Sequence, residues 1–363
     1  IFTTEQIREI DRVTFEKEGV SSLQLIERVA EGVTAEVISR LCANMRIAVF
    51  AGPGNNGADA LAVARMLAEQ GYRPEVFLFN KGGNRLSVDC AECKRQLLAL
   101  GADVDFTEVT GLFNLPLLSP QYIVVDGLFG SGLREPLTGG FRELVKYIND
   151  SGAQIVSIDV PSGLFGDWNP NSVHRNIIHA TVTMAVQFPH PAFMMQDNAE
   201  LVGEWKVIDI GLSQSAIRRT PAPFYLVERQ DVKRILKPRA PFSSKADFGS
   251  ALLVAGSYGM MGAAVLSARG ALRAGAGKVT VYAPRCGYDV VQGAVPEAMY
   301  QASNSDIYIN EIRPRSEYSS IAIGPGIGTA DATINALENF LKLQEKPVVL
   351  DADALNCMAR RQS

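Results

Sequence analysis

Short apolar runs alternate with segments of helical periodicity along most of this chain. The run Ile-Ala-Val-Phe-Ala at 47–51 predicts a buried strand, and Leu61, Ala64 and Leu67 then recur at helical spacing until Gly71. Strands joined by helices require right-handed crossovers, so the pattern predicts a parallel sheet with helices on both faces. Further strands are predicted near 75–79, 122–126, 154–158, 182–186 and 206–210, with helices near 87–100 and 140–149.

Two more helices are predicted ahead of the first strand. Thr3 with Gln6, and Ser21 with Gln24, have the spacing of capping boxes, and apolar residues follow each pair at helical spacing.

A change of composition near residue 218 predicts a domain junction. Prolines and basic residues are frequent up to residue 242, and a second α/β pattern then begins. We therefore predict a domain at 1–217, a linker at 218–242 and a second domain at 243–363. Because the chain stops just after a strand pattern, we expect this second domain to be incomplete. Its strands are predicted near 251–255, 278–282, 321–323 and 348–350, with a helix of small residues at 263–274.

Composition and charge narrow the classes of function. A net charge of −4 over 363 residues gives no electrostatic basis for binding nucleic acid or an anionic membrane. No apolar run approaches the roughly 18 residues that a membrane span needs. Five scattered cysteines without a signal peptide are typical of a cytoplasmic protein, and we expect a homo-oligomer.

A glycine-rich loop follows the first strand. Gly52, Gly54 and Gly57 have the G-x-G-x-x-G spacing that brings a backbone close to a pyrophosphate at a helix N-terminus. A dinucleotide-binding dehydrogenase also needs an acidic residue after the next strand, where this chain has Asn80. The loop instead carries the side-chain oxygens of Asn55, Asn56 and Asp59. This favours a site that acts on a nucleotide or its ring over plain cofactor binding.

Polar segments also follow two other predicted strands, at 126–136 and 159–163. Any one of these segments alone is explained by helix capping or a turn. Together they meet at one edge of a parallel sheet, which favours a site. Asn56, Asp126 and Ser162 offer hard oxygens with one carboxylate, which suits a monovalent cation, and Asp159 is a candidate general acid/base. The spacing of His174, His179 and His190 fits neither a metal site nor a catalytic triad.

These motifs resemble, in order and across about residues 1–215, those of an NAD(P)H-hydrate epimerase domain. The matching segments are Gln-Ile-Arg-Glu-Ile-Asp at 6–11, Gly-Asn-Asn-Gly at 54–57 with Asp59, Asp-Gly-Leu-Phe-Gly-Ser-Gly at 126–132, Asp-Val-Pro-Ser-Gly at 159–163, and the closing pair Gly203-Glu204 and Asp209-Ile-Gly211.

The resemblance implies a three-layer, Rossmann-like α/β fold and an enzyme that interconverts the R and S forms of hydrated NADH or NADPH at C6. Asn56, Asp126 and Ser162 would hold a potassium ion, and Asp159 would be the catalytic acid/base. The hydrated nucleotide would lie against Asn55, Asn56, Gly57, Ala58, Asp59, Gly130, Ser131, Gly132, Leu133, Arg134, Glu135, Pro136 and Asp159.

From about Lys245 the chain resembles the start of an ADP-dependent NAD(P)H-hydrate dehydratase domain of ribokinase-like fold. The resemblance implies that ADP or ATP drives loss of water from the S form, with Ala263 and Gly326 near the substrate. Because the nucleotide cradle of that family comes later in the chain, we expect these 363 residues to lack dehydratase activity and the complete protein to have it. The matching segments include Gly-Ser-Ala-Leu-Leu-Val-Ala-Gly at 249–256, Gly-Pro-Gly-Ile-Gly at 324–328 and Asp-Ala-Asp-Ala-Leu-Asn at 351–356.

Three positions depart from the family pattern. Ala58 and Ala60 replace glycines, which would strain the chain at positive φ but would be harmless inside a helix. His190 replaces a lysine. The alternative function is therefore a non-catalytic module of the same fold that binds a nucleotide or a partner protein, and a hydride-transferring dehydrogenase ranks third.

Overall fold

The chain forms two compact units, Ile1–Glu228 and Arg229–Ser363. The computed structural model describes residues 1–81, 83, 85–101, 104–169, 173–236 and 238–361. The division lies inside the linker predicted at 218–242. Residue 237 of that linker, and residues 362 and 363 of the second predicted domain, fall outside the described residues. No helix in the described part of the chain is long and apolar enough to cross a membrane.

The N-terminal unit is built on a seven-stranded sheet in the order β3-β2-β1-β4-β5-β6-β7. Every pairing in it is parallel, which confirms the predicted α/β class. The strands are β1 (Arg46–Ala51), β2 (Glu75–Phe79), β3 (Asp105–Val109), β4 (Tyr122–Gly127), β5 (Gln154–Ile158), β6 (Val182–Val186) and β7 (Glu204–Ile208). The helices are α1 (Thr4–Glu18), α2 (Ser22–Arg40), α3 (Asn55–Glu69), α4 (Val88–Leu98), α5 (Gly139–Asp150), α6 (Ala199–Val202) and α7 (Gln214–Arg219).

Successive residues of β1 enter two different cores, as the period of a strand requires. Ile47, Val49 and Ala51 pack with apolar residues of α1 to α4, whereas Ala48 and Phe50 pack with those of α5. The sheet is therefore covered on both faces and forms the predicted three layers. Both predicted capping boxes are present, at Thr3 with Gln6 and at Ser21 with Gln24.

Strand β3 was absent from the sequence prediction. Its residues alternate between exposed and partly buried along Asp-Phe-Thr-Glu-Val, because β3 is the edge strand of the sheet. Edge strands with one polar face lack the continuous apolar run that identifies strands buried on both faces.

The order in which strands are added to the sheet reverses at β1. It runs outward from β1 to β2 and β3, then returns to place β4 on the other side of β1. In open parallel sheets, ligands bind beyond the carboxyl ends of the strands at this switch point. The loops after β1, β4 and β5 all open there.

The C-terminal unit contains a second parallel sheet of five strands in the order β10-β9-β8-β11-β12. Most of these strands are joined by helices, as predicted, but the strand Met299–Ala302 was absent from the sequence prediction and is followed by the next strand without a helix between them. The strands are β8 (Ser250–Val254), β9 (Lys278–Ala283), β10 (Met299–Ala302), β11 (Ser320–Ile323) and β12 (Val348–Leu350), and the helices are α8 (Arg229–Ile235), α9 (Met261–Ala274), α10 (Tyr288–Ala294), α11 (Asp331–Leu343) and α12 (Asp353–Ala359).

Candidate active site

A cavity of about 790 Å³ opens at the switch point of the N-terminal sheet. Its floor comes from the loops after β1, β4 and β5, and its walls come from α1 and α2. The structure brings most of the predicted substrate residues together here, namely Asn55, Asn56, Asp59, Gly130, Ser131, Gly132, Leu133, Arg134, Glu135 and Asp159. Gly57, Ala58 and Pro136 do not line the cavity.

The loop from β1 into α3 is held tightly against the loop after β4. A Cβ at Gly52 would lie 1.8 Å from the carbonyl oxygen of Leu128, and one at Gly57 would lie 1.7 Å from the carbonyl oxygen of Gly52. Only glycine fits at these two positions, so the spacing of these glycines serves close backbone packing. The N-terminus of α3 consequently points into the cavity with Asn55 and Asn56 at its first two positions.

Ala58 and Ala60 are accommodated without strain. Both lie inside α3, are fully buried and have ordinary helical backbone angles. Their methyl groups fill space in the core, where Ala60 packs beside Gly127. The departure from glycine at these positions therefore leaves the loop geometry intact.

Asp126, at the end of β4, is fully buried beneath the cavity. Its carboxylate accepts hydrogen bonds from the Ser157 hydroxyl at 2.8 Å, the Ser162 hydroxyl at 2.5 Å and the Ser162 backbone N–H at 2.9 Å. Burial raises the pKa of Asp126, and these hydrogen bonds oppose the rise. No lysine, arginine or histidine in the described residues forms a salt bridge with this carboxylate.

The side-chain amide of Asn56 lies at the same edge of the sheet. Its Nδ2 is buried without a hydrogen-bond partner among the described residues, and a Cβ at Gly130 would come 3.3 Å from its Cγ. A cation would bind the amide oxygen of Asn56 and not this nitrogen. That oxygen, the Asp126 carboxylate without a cationic partner and the Ser162 hydroxyl are hard oxygens of the kind that a monovalent cation prefers. No group of three or more His, Cys, Asp or Glu among the described residues forms a cluster that could hold a metal ion.

Asp159 follows β5 in a strained backbone conformation, with a φ of 66° that non-glycine residues adopt infrequently. Its Oδ1 lies 2.9 Å from the Nε2 of His190, and its Oδ2 accepts the Ser131 backbone N–H at 2.8 Å. Burial tends to raise the pKa of Asp159, but the charge and hydrogen bond of His190 and the Ser131 N–H outweigh it and leave the pKa below its usual value. Asp159 is therefore held in its ionised form at neutral pH.

His190 is a site residue that the sequence analysis did not identify. It is almost fully buried, at 1% exposure, while His174 and His179 lie on the surface. Its Nδ1 has no partner among the described residues. The available signal was its position shortly after β6, at the same edge of the sheet as the other site segments.

Two more carboxylates face the cavity, Asp59 from α3 and Asp11 from α1. Asp59 comes three residues after Asn56, so both lie on one face of the helix. Burial, followed by the charges of Asp159 and Asp89, raises the pKa of Asp59 well above its usual value. Burial and the charge of Asp159 raise the pKa of Asp11 to about 7. Asp11 belongs to a motif that the sequence analysis quoted but assigned no role.

Ala263 and Gly326 lie in the C-terminal unit. They are adjacent there, since a Cβ at Gly326 would come 2.9 Å from the Cβ of Ala263. Gly326 has a φ of 68°, which favours glycine.

Comparison with known proteins identifies both units. Residues 22–192 match the family model described as YjeF-related protein N-terminus, and residues 251–363 match that described as NAD(P)H-hydrate dehydratase. A curated relative from Thermofilum pendens, named bifunctional NAD(P)H-hydrate repair enzyme Nnr, is 33% identical over 98% of this chain and 68% of its own length. A relative of the same name from Coxiella burnetii is 31% identical over 100% of this chain and 72% of its own length.

A solved structure resembles part of the chain. The ADP/ATP-dependent NAD(P)H-hydrate dehydratase of Bacillus subtilis is 34% identical over 35% of this chain and 45% of that chain, with a TM-score of 0.31. The two family models occur here in the order expected for a fused protein, and the curated relatives match almost the whole sequence. The chain belongs to the family of bifunctional NAD(P)H-hydrate repair enzymes.

Proposed function

We propose that the N-terminal unit interconverts (R)- and (S)-NAD(P)HX at C6 of the hydrated nicotinamide ring. The family of the chain supports this reaction, and one observation ties it to a site: an ionised Asp159 faces a nucleotide-sized cavity at the switch point of the sheet. The dehydration that returns the S form to NAD(P)H is a separate reaction, which we assign to the dehydratase domain of the complete protein, to which residues 251–363 belong. ADP or ATP would be its co-substrate, with Ala263 and Gly326 near the hydrated nucleotide.

The epimerisation requires the C6 hydroxyl to leave and a water to return. Protonation of this hydroxyl lets the lone pair of the ring nitrogen expel it as water, which produces a planar cation. Water then adds to either face of the ring and loses a proton. In this proposal Asp159 exchanges that proton, and the ionised carboxylate also stabilises the cation in the partly enclosed cavity.

The substrate contacts follow from the lining of the cavity. The backbone N–H groups at the start of α3, and those of Gly130 and Gly132, offer hydrogen bonds to phosphate oxygens. Gly130 is essential to this arrangement, because a Cβ there would lie 2.8 Å from Oδ2 of Asp159 and 3.3 Å from Cγ of Asn56. The missing side chain leaves room for the ring beside both groups.

We also propose that Asn56, Asp126 and Ser162 hold a potassium ion. When bound, the ion supplies positive charge that offsets the buried carboxylate of Asp126. Ser162 accepts the Phe129 backbone N–H at 2.9 Å, so this group connects the segment that carries Gly130 to the segment that carries Asp159. Asp126 and Ser162 thereby fix the distance between the substrate loop and the catalytic carboxylate.

The proposal is tested by following pure (R)-NADHX to the equilibrium mixture by chromatography. The wild-type protein should reach equilibrium faster than buffer, and Asp159→Asn should be slower by at least about 100-fold. Asp150→Asn, on the exposed end of α5, is the matched control and should equal the wild type. Full activity of Asp159→Asn would remove this residue from its role, and a wild-type rate equal to buffer would overturn the function itself.

A further inference from the structure

The helix α1 brings a carboxylate into the cavity from outside the strand-end loops. Ile7 and Asp11 are four residues apart on this helix, and both line the cavity. The neighbouring inward positions, Ile10 and Thr14, are buried in the core and fix the rotation of the helix. Asp11 is thus directed towards the cavity by the packing of its own helix.

Asp11 and Asp159 share one cavity but have opposite surroundings. Asp159 accepts hydrogen bonds on both of its oxygens, whereas no described residue donates a hydrogen bond to the carboxyl of Asp11. Desolvation and the negative charge of Asp159 favour a proton on Asp11, and its pKa rises to about 7. Two carboxyl groups whose environments separate their pKa values are the usual basis of an acid and base pair.

Other charged groups face the same space. Arg8 lies one turn before Asp11 on α1, Asp59 comes from α3, and Arg134 and Glu135 come from the loop after β4. The wall formed by α2 contributes Ser22 and apolar side chains, and the segments after β6 and β7 contribute uncharged residues. None of the cations forms a salt bridge with Asp11 among the described residues, and none is a cause of its shift.

We propose that Asp11 is the general acid that protonates the departing C6 hydroxyl, while Asp159 accepts the proton of the water that replaces it. This role rests on the epimerase function proposed above. It answers a chemical need that Asp159 alone does not meet, because a carboxylate held ionised at neutral pH is a base and the first step needs an acid.

One inversion moves one proton from Asp11 to Asp159. Asp11 gives its proton to the hydroxyl, the C6–O bond breaks with its electron pair on the departing water, and the ring nitrogen supplies electrons to C6. A second water forms the new C6–O bond and releases one proton to Asp159. Exchange with solvent water then removes the proton from Asp159 and returns one to Asp11, which restores the starting protonation states for the next inversion in the same direction. In the reverse inversion Asp159 gives the proton and Asp11 receives it, so no oxidant or reductant is consumed.

The test compares three variants of Asp11 with the wild-type protein in the same (R)-NADHX assay. Asp11→Asn should lower kcat by about 100-fold or more while KM stays within about 3-fold. The wild-type rate should fall as the pH rises through about 7, because the acid must be protonated, and this alkaline limb should vanish in Asp11→Asn. Asp11→Glu should keep the limb.

Chemical rescue separates a proton donor from a structural residue. Added imidazole buffer, whose cation still carries a proton near pH 7, should restore part of the rate of Asp11→Ala and leave Asp159→Asn unaffected. Glu5→Gln, an exposed carboxylate on the same helix, is the control for charge on α1 and should match the wild type.

Each outcome is decisive. Loss of kcat with loss of the alkaline limb and rescue by imidazole buffer supports Asp11 as the acid. The role of Asp11 is overturned if the kcat of Asp11→Asn stays within about 3-fold of the wild-type value. It is also overturned if the variants are slower but Asp11→Asn keeps the alkaline limb and Asp11→Ala is not rescued. In both cases the epimerase function stands. A wild-type protein that does not accelerate epimerisation overturns the proposed function first, and that failure is visible without any variant.

Discussion

The two sides of the cavity differ in how their carboxylates are supported. On the strand-end side, Asp126 and Asp159 are held by serine hydroxyls, backbone N–H groups and His190. On the helical side, Asp11 faces the cavity without a hydrogen-bond donor from the described residues. Fixed donors favour a charged carboxylate, whereas desolvation without donors favours a neutral one. Asp159 and Asp11 thus have complementary protonation states in one cavity, whereas burial raises the pKa of Asp126 in spite of its donors.

The largest effect is expected where the strand-end side is most tightly packed. In Gly52→Ala the new Cβ would lie 1.8 Å from the Leu128 carbonyl oxygen, and backbone has to move to relieve the clash. We expect a loss of about 3 kcal/mol or more from the free energy of unfolding of the N-terminal unit. Both tryptophans, Trp168 and Trp205, belong to this unit, so their fluorescence in a urea titration reports on it alone.

Gly54→Ala is the matched control for this prediction. No atom lies within 4 Å of a Cβ built at Gly54, which is the N-cap of α3 and has a negative φ. We expect a change below about 1 kcal/mol. Equal losses in the two variants would contradict the close approach of the two loops.

Replacing each serine around Asp126 should lower the free energy of unfolding in proportion to the hydrogen bonds that the serine makes. Ser162→Ala removes a donor to Asp126 and leaves the Phe129 N–H without its acceptor, and it should cost about 1–3 kcal/mol. Ser157→Ala removes one bond from an oxygen that still accepts the Ser162 N–H, so its cost should be smaller. The reverse order in urea titrations would show that Ser162 does not organise this side of the cavity.

Replacing His190 should reduce the difference between the pKa values of Asp159 and Asp11. His190→Gln removes the charge that lowers the pKa of Asp159, so the pKa of Asp159 should rise. The acid limb of the pH-rate profile should move to higher pH, which lowers the rate on the acid side and leaves the alkaline side unchanged. The exposed His179→Gln is the control. A uniform loss at every pH would instead indicate a packing role for His190.

The smallest expected effect is a change in the free energy of unfolding with pH. A carboxyl whose pKa is raised by folding stabilises the fold below its unfolded pKa, and this contribution disappears as the pH rises through its folded pKa. For Asp11 that window runs from the ordinary value of 3.8 to about 7. Between about pH 6 and pH 8 the wild type should therefore lose about 1 kcal/mol relative to Asp11→Asn. Parallel stability curves for the two proteins would contradict a partly buried Asp11 without hydrogen-bond donors.

The difference between the strand-end side and the helical side of the cavity also explains which site residues could be predicted from the sequence. Asn56, Asp126, Asp159 and Ser162 were predicted as a group because parallel strands bring their carboxyl ends to one edge, a rule that needs only the strand pattern. Asp11 was not assigned to the site because its position depends on how α1 docks, and helical periodicity does not specify the neighbour of a helix. His190 was named only as a departure from a family lysine, because its contact with Asp159 joins segments 31 residues apart and no spacing rule predicts it.

The account is tested most directly by following (R)-NADHX in isotopically labelled water. With the wild-type protein, the S product should form faster than in buffer, and each inversion should place one oxygen atom from the solvent on C6. Asp159→Asn should reduce both inversion and label uptake to the rate in buffer. Inversion by the wild type without uptake of label, or an unchanged rate in Asp159→Asn, would contradict the proposal that this cavity expels and re-adds the hydroxyl.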